Sequence, residues 1–245
     1  MEPHISVCIP MYNEAEICAD TARTLHRAME GFREKHGWSY EIIFSDDGSR
    51  DGCADIVRKV AEDEHLCGVR VVGYEQNRGK GAAVREAVLA SKGEIVLYTD
   101  CDLAYGTDVI ADAVSRYTDG VDAVIGSRNL TEDGYAGYTF MRRLASKAYI
   151  KVLCLAAGFR LSDSQCGCKS FRGEMARKIF AKCETNGFAF DFEVLLLAGK
   201  LRANIAEMPV KIINHRESTV HVVRDSVKML RDLAKIKKRI RKVEF

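Results

Sequence analysis

Short apolar, β-branched runs alternate along the chain with longer stretches whose apolar residues recur every three or four positions. Ile5–Ile9, Glu41–Phe44, Val69–Val72, Ile95–Tyr98 and Ala123–Ile125 read as strands. The intervening pattern predicts helices near 15–35, 52–64, 80–91 and 107–118. In the first of these, Ile17, Leu25, Ala28 and Phe32 form a stripe at helical period. Strand–helix alternation implies right-handed crossovers, hence an α/β fold with a mostly parallel central sheet flanked by helices. After about residue 135 the alternation ends. Helices are expected at 139–157, 173–182 and 190–199, and a strand at Ile205–Ile213, where Pro209 marks an edge strand or a bulge. A long helix at about 220–242 closes the chain, with Val220, Val223, Val227, Leu230, Ala234 and Ile240 near one face.

This pattern gives meaning to the polar residues that follow each strand. In a parallel sheet the five carboxyl ends share one edge, where open α/β sheets bind ligands. Pro10-Met-Tyr-Asn-Glu14, Ser45-Asp-Asp-Gly-Ser49, Glu75-Gln-Asn-Arg-Gly-Lys80, Asp100-Cys-Asp102 and Gly126-Ser-Arg128 all fall there. A lone Asp-x-Asp is more often a solvated turn. At this edge, Asp100 and Asp102 are expected to hold a divalent cation, Mg²⁺ or Mn²⁺, that gathers a diphosphate. Mg²⁺ in particular favours one or two carboxylates plus substrate phosphate oxygens.

Composition leaves this picture standing. The 245 residues suffice for one α/β domain with an appendage. Only three prolines occur, so no flexible linker divides the chain. The nine cysteines include no Cys-x-x-Cys, and Cys166-Gly-Cys168 is too tight for a zinc site. Unpaired thiols, with Met1-Glu-Pro-His running straight into a strand, lead to the expectation of a reducing cytoplasm. The net charge of +2 is lopsided: from Arg224 to Lys242, nine Lys or Arg face two Asp, leaving −5 on the rest. That asymmetry points to an anionic membrane surface met by the tail, not to nucleic acid. The organisation expected is a catalytic domain over 1–215 and a basic amphipathic helix over 216–245.

Several other groups carry alternatives. Asn77-Arg-Gly79-Lys-Gly81 opens a helix and fits either an anion cradle or a plain cap. Ser49 or Asp51 is expected to cap the next helix, while Asp47 faces the ligand and accepts a ring N–H of a base. Glu14 divides evenly between capping and nucleoside contact. Arg128, Arg142, Arg143 and Arg216 are candidate phosphate clamps, Arg128 foremost because it shares the sheet edge with the aspartates. Asp163-Ser-Gln-Cys-Gly-Cys-Lys169 combines a carboxylate, an amide and a cation. In Phe190-Asp-Phe-Glu193, Asp191 suits a general base or an acceptor orienter, and Glu193 a helix-terminus charge.

These segments, in this order, resemble the family 2 glycosyltransferases, which have the GT-A fold. The resemblance runs from Ile5 to about residue 240. Within the family it is closest to the polyprenyl-phosphate branch and its dolichyl-phosphate glucosyl members, through Gly79-Lys-Gly-Ala-Ala-Val-Arg85 and Asp163-Ser-Gln-Cys-Gly167. It implies an inverting, metal-dependent transfer of a hexose from a nucleotide diphosphate sugar (UDP-glucose favoured over GDP-mannose) to a polyprenyl phosphate. By position, Pro10, Tyr12, Glu14, Ser45 and Asp47 would line the nucleoside, and Asp100 and Cys101 would touch ribose and diphosphate. Asp102 would hold the metal, while Arg128 and Arg143 would bind donor diphosphate and acceptor phosphate, with Lys169 and Arg216 beside them. Two positions depart from the pattern: Ala104 replaces a metal-ligating Gln of mannosyl relatives, and Cys168 replaces a Phe.

A phosphate acceptor needs no strong general base, so Asp191 would only orient it. The helices at 139–157 and 220–242 would lie on the cytoplasmic face of a membrane without crossing it, unless the basic helix docks on the protein's own core. Three rival readings remain: a soluble family 2 enzyme acting on a glycan hydroxyl with Asp191 as base, a nucleotidyltransferase, and an inactive nucleotide-sugar-binding module. Nothing in the pattern speaks to the oligomeric state.

Overall fold

The computed structural model describes residues 3–135, 140–158, 160–214 and 232–245. The elements run β1 (Ile5–Met11), α1 (Cys18–His36), β2 (Tyr40–Asp46), α2 (Cys53–Asp63), β3 (Val69–Gly73), α3 (Lys80–Ala90), β4 (Ile95–Tyr98) and α4 (Asp108–Ser115). They continue with β5 (Ala123–Ser127), α5 (Phe140–Ala157), β6 (Lys169–Arg172), α6 (Gly173–Lys182), α7 (Phe190–Lys200) and β7 (Ile205–Pro209). The strands form one sheet in the order β3-β2-β1-β4-β6-β5-β7.

All five expected strands are present, and so are the helices between them. Strand β6 was not expected. It is antiparallel to both β4 and β5. Two reversals cancel, so β5 still runs parallel to β4 and its carboxyl end reaches the same edge as those of β1 to β4. Strand β7 lies at the far edge and ends at Pro209, well short of residue 213. A proline is tolerated there because an edge strand leaves one row of N–H groups unpaired.

Alternation along β1 sorts the core. Val7 and Ile9 point to one face, which α1, α2 and α4 cover; Cys8 points to the other, which α3, α6 and α7 cover. On α1 the buried face is Cys18, Thr21, Ala22, Leu25 and Met29, turned slightly from the expected stripe, since Phe32 is only partly covered.

The C-terminal helix is described over residues 232–240. Leu233, Ile236 and Ile240 are buried against the α6–α7 side of the core. Arg239 pairs with Glu193 and Glu184 and donates to the Lys182 carbonyl. Over this stretch Leu233, Ile236 and Ile240 dock on the protein's own core, so that of the face expected to meet a membrane Ile240 is buried and Ala234 is exposed. Burial explains the choice, since each such side chain contributes about 1.5–3 kcal/mol when removed from water. Residues 220–231 of the expected helix lie outside the described residues, as does Arg216.

Candidate active site

Strand β4 delivers the aspartates. Asp100 follows Tyr98 by two residues, and the chain then turns sharply, with Leu103 in the left-handed region at φ 47°. The Leu103 N–H donates to the Asp100 carbonyl, and the Ala104 N–H donates to Asp102 Oδ1 at 3.0 Å. Asp100 forms an ion pair with Lys80, the first residue of α3. Gly167 lets a second loop come close: a Cβ there would lie 2.5 Å from Asp100 Oδ2.

The charge balance at this corner is uneven. Burial, and then the neighbouring Asp100 charge, push the Asp102 carboxyl above its ordinary value. Burial works against the charge of Lys80, but Asp100 and Asp191 outweigh it and hold the ammonium protonated. A cation beside Asp102 would relieve the excess negative charge. Among the described residues no three His, Cys, Asp or Glu side chains cluster as a metal cage. Two carboxylates with the other positions left to phosphate and water are the donor set that a hard divalent ion takes. The residues therefore fit Mg²⁺ or Mn²⁺, and Ala104 adds no side-chain ligand.

On the β1–β2 side, Pro10 pairs in register with Ser45, and both are buried. Ser45 Oγ has no hydrogen-bond partner among the described residues. Tyr12 is exposed, and Cys101 is buried with its carbonyl accepting from Thr21 Oγ1 at 2.7 Å. The backbone carbonyl of Glu14 accepts from the Ile17 and Cys18 N–H groups at the start of α1. The N-cap of α2 is Gly52; Asp51, one residue before it, takes the Cys53 and Ala15 N–H groups, and Ser49 Oγ accepts from the Asn13 N–H. Asp47 is buried and heavily engaged. Its carboxylate accepts from Tyr74 Oη (2.6 Å), Asn77 Nδ2 (2.8 Å) and the Arg78 and Gly79 N–H groups. It holds the 74–79 loop in place. The glycine pair serves a cap: the Gly81 and Ala82 N–H groups at the start of α3 go to the Asn186 carbonyl.

Beyond β5, Arg128 is inside the protein and paired. Asp163, fully buried, receives Arg128 Nε at 2.7 Å and Nη2 at 3.1 Å. Arg143, on α5, donates to the Glu132 carbonyl. The Arg142 side chain and Arg216 lie outside the described residues. Lys169 and Asp191 do meet, although 22 positions separate them: Lys169 Nζ is 2.5 Å from Asp191 Oδ1 and 2.5 Å from the Cys166 carbonyl. Glu193 is buried, accepts the Glu184 and Thr185 N–H groups and pairs with Arg239, so its part is structural.

One group of this cluster escaped the sequence reading. Tyr98 donates its hydroxyl to Asp191 Oδ1 at 2.9 Å. The available signal was its place at the end of β4, two residues before Asp100; an apolar run disguised it as core.

With the geometry in view, comparison with known proteins places the chain. The family model described as glycosyl transferase family 2 matches residues 6–180. The dolichyl-phosphate beta-glucosyltransferase of Dictyostelium discoideum is 32% identical over 96% of this chain and 74% of that protein. Its Saccharomyces cerevisiae namesake is 30% identical over 96% and 75%. Among solved structures, glucosyl-3-phosphoglycerate synthase from Mycobacterium tuberculosis, in complex with Mn²⁺, UDP and glucosyl-3-phosphoglycerate, superposes with a TM-score of 0.67. That match has 19% identity over 96% of this chain and 78% of the other, and it shows a shared GT-A-like fold. The chain belongs to glycosyl transferase family 2 and is a glycosyltransferase.

Proposed function

We propose that this enzyme transfers glucose from UDP-glucose to a polyprenyl phosphate of the dolichyl type, with inversion at the anomeric carbon. The observation that carries the reading is the meeting, on one sheet edge, of the Asp100–Asp102 corner with Lys80 and the buried Asp191–Lys169 pair. The two relatives named above, each matched along nearly the whole chain, carry that activity in their names.

The residues divide the work. Pro10, Tyr12, Ser45 and the loop braced by Asp47 form the nucleoside wall. Asp100 and Asp102 would hold the divalent ion, which when bound stabilises charge on the departing diphosphate. Lys80, held protonated, adds a positive charge at the same corner, and Arg128 directly follows the carboxyl end of β5. The acceptor phosphate, with a second pKa of about 6, is already mostly dianionic at neutral pH and attacks without surrendering a proton. Asp191 then orients.

The rival in which a glycan hydroxyl attacks requires Asp191 to take up a proton. Doing so would strip the counter-charge from Lys169, which is fully buried, and an uncompensated buried charge is costly. The ion pair therefore favours a phosphate acceptor.

The polyprenyl substrate calls for a membrane surface, and α5 supplies the better face. Phe140, Leu144, Val152 and Leu155 are 76%, 54%, 51% and 70% exposed, with Lys151 exposed among them. The underside of the helix, Ile150 and Cys154, packs against Tyr135. No described helix is long and apolar enough to cross a membrane. An amphipathic helix lying in an anionic leaflet fits this arrangement.

The test is a panel of UDP- and GDP-sugars with Mg²⁺ or Mn²⁺ and a short polyprenyl phosphate, read by mass spectrometry. Lipid-linked glucose from UDP-glucose is expected. Transfer only to glycan hydroxyls would overturn the proposal, and product from GDP-mannose alone would reassign the donor.

A further inference from the structure

Tyr98, Lys169 and Asp191 form a closed cluster beneath the sheet edge. Tyr98 is 1% exposed, its ring set among Phe171, Phe180 and Phe190. The Lys169 side chain is fully buried and that of Asp191 keeps 9% exposure, so of the three only Asp191 has any access to a ligand. Both bonds, from the Tyr98 hydroxyl and from the Lys169 ammonium, fall on Oδ1. Tyr98 and Lys169 are also register partners across β4 and β6, so their donors approach from adjacent strands.

We propose that Tyr98 is a positioning residue for the transfer: with Lys169 it pins Oδ1 of Asp191 and so fixes the orientation of the carboxylate. The inference rests on the reading of Asp191 as the group that meets the acceptor. Two donors on one oxygen remove the rotation that a single ion pair would allow. A hydrogen bond at 2.9 Å, in a pocket that excludes water, gives the carboxylate one orientation. Tyr98 itself touches no substrate. Its effect passes through Asp191, where a misplacement of an ångström is costly to rate.

Tyr98→Phe tests this, because it keeps the ring in its aromatic cage and deletes only the hydroxyl. The expected result is a kcat lowered about ten-fold, with the KM for UDP-glucose unchanged, the mark of an interaction needed in the transition state. In an Asp191→Asn background the same substitution should cause no further loss, because the hydroxyl acts only through the carboxylate. The ¹³C carboxyl resonance of Asp191, assigned by its absence in Asp191→Asn, should shift in Tyr98→Phe. Wild-type kcat in Tyr98→Phe, independent losses that multiply in the double variant, or an unmoved resonance would each overturn the inference. A wild-type enzyme inert toward every polyprenyl phosphate would sink the proposed function instead, and the resonance would still decide the positioning role.

Discussion

Neutralising Asp163 tests whether Arg128 is held by a buried ion pair. Asp163 is fully buried and takes Arg128 Nε and Nη2, with the Gln165 N–H on Oδ1 at 3.0 Å. The Arg128 side chain is only 13% exposed. Asp163→Asn keeps an acceptor for Gln165 but leaves the guanidinium without its counter-charge. Breaking a buried pair from one side costs about 3–5 kcal/mol. For a chain of this length, each kcal/mol moves Tm by roughly 2–4 °C, so a fall of about 6–20 °C is expected. Arg128→Met should cost a similar amount by stranding the carboxylate. The double variant removes both charges and should recover most of the loss, falling well short of the sum of the two single losses. Scanning calorimetry on the three variants and the parent measures this cycle. Additive losses, or a Tm within about 2 °C of the parent for Asp163→Asn, would refute the pairing argument. Transfer should stay low in the double variant despite its recovered stability, because the cation proposed for the donor diphosphate is gone.

Three further outcomes follow from the same structure. Asp102→Asn should abolish transfer yet not destabilise the metal-free protein. Because its folded-state pKa is raised by burial and by Asp100, the native state holds the proton longer than the unfolded chain, so parent stability falls as pH rises above the ordinary carboxylate value; Tm against pH should flatten in the variant, and an unchanged slope would contradict the assignment. Leu144→Asp with Leu155→Asp should weaken co-sedimentation with anionic liposomes without lowering Tm, since both residues are exposed. Deleting residues 232–245 should lower Tm, because Leu233, Ile236 and Ile240 leave the core; equal Tm with lost liposome binding would mean that this helix serves the membrane alone.

Much of the architecture was legible because it depends on local periodicity. The first five strands end within two residues of the expected positions, and the shared edge follows from their parallel order. The Asp100-Cys-Asp102 corner was visible because its residues are adjacent in sequence and follow an apolar strand. Strand β6 was not legible. Lys169-Ser-Phe-Arg172 is four residues long, begins and ends in a cation, and sits beyond a Gly-Cys loop, so no period-2 signal emerges. It is a strand because it lies between β4 and β5 and pairs antiparallel with both, which supply its backbone hydrogen-bond partners on either side. Lys169 thereby becomes a buried cation facing Asp191.

The sequence by itself determined the α/β class, the common edge of the strand ends and the chemistry of the aspartate corner, because each is set by residues near one another along the chain. Tertiary structure alone decided how those side chains are used. Asp47 braces a loop, Arg128 is tied to Asp163 at a separation of 35 residues, and Tyr98 reaches Asp191 across 93. It also turned the described end of the C-terminal helix onto the core and left α5 exposed. Amphipathic periodicity says only that a helix has an apolar face. Which surface covers that face depends on the free energy of packing between distant segments, which no local pattern encodes.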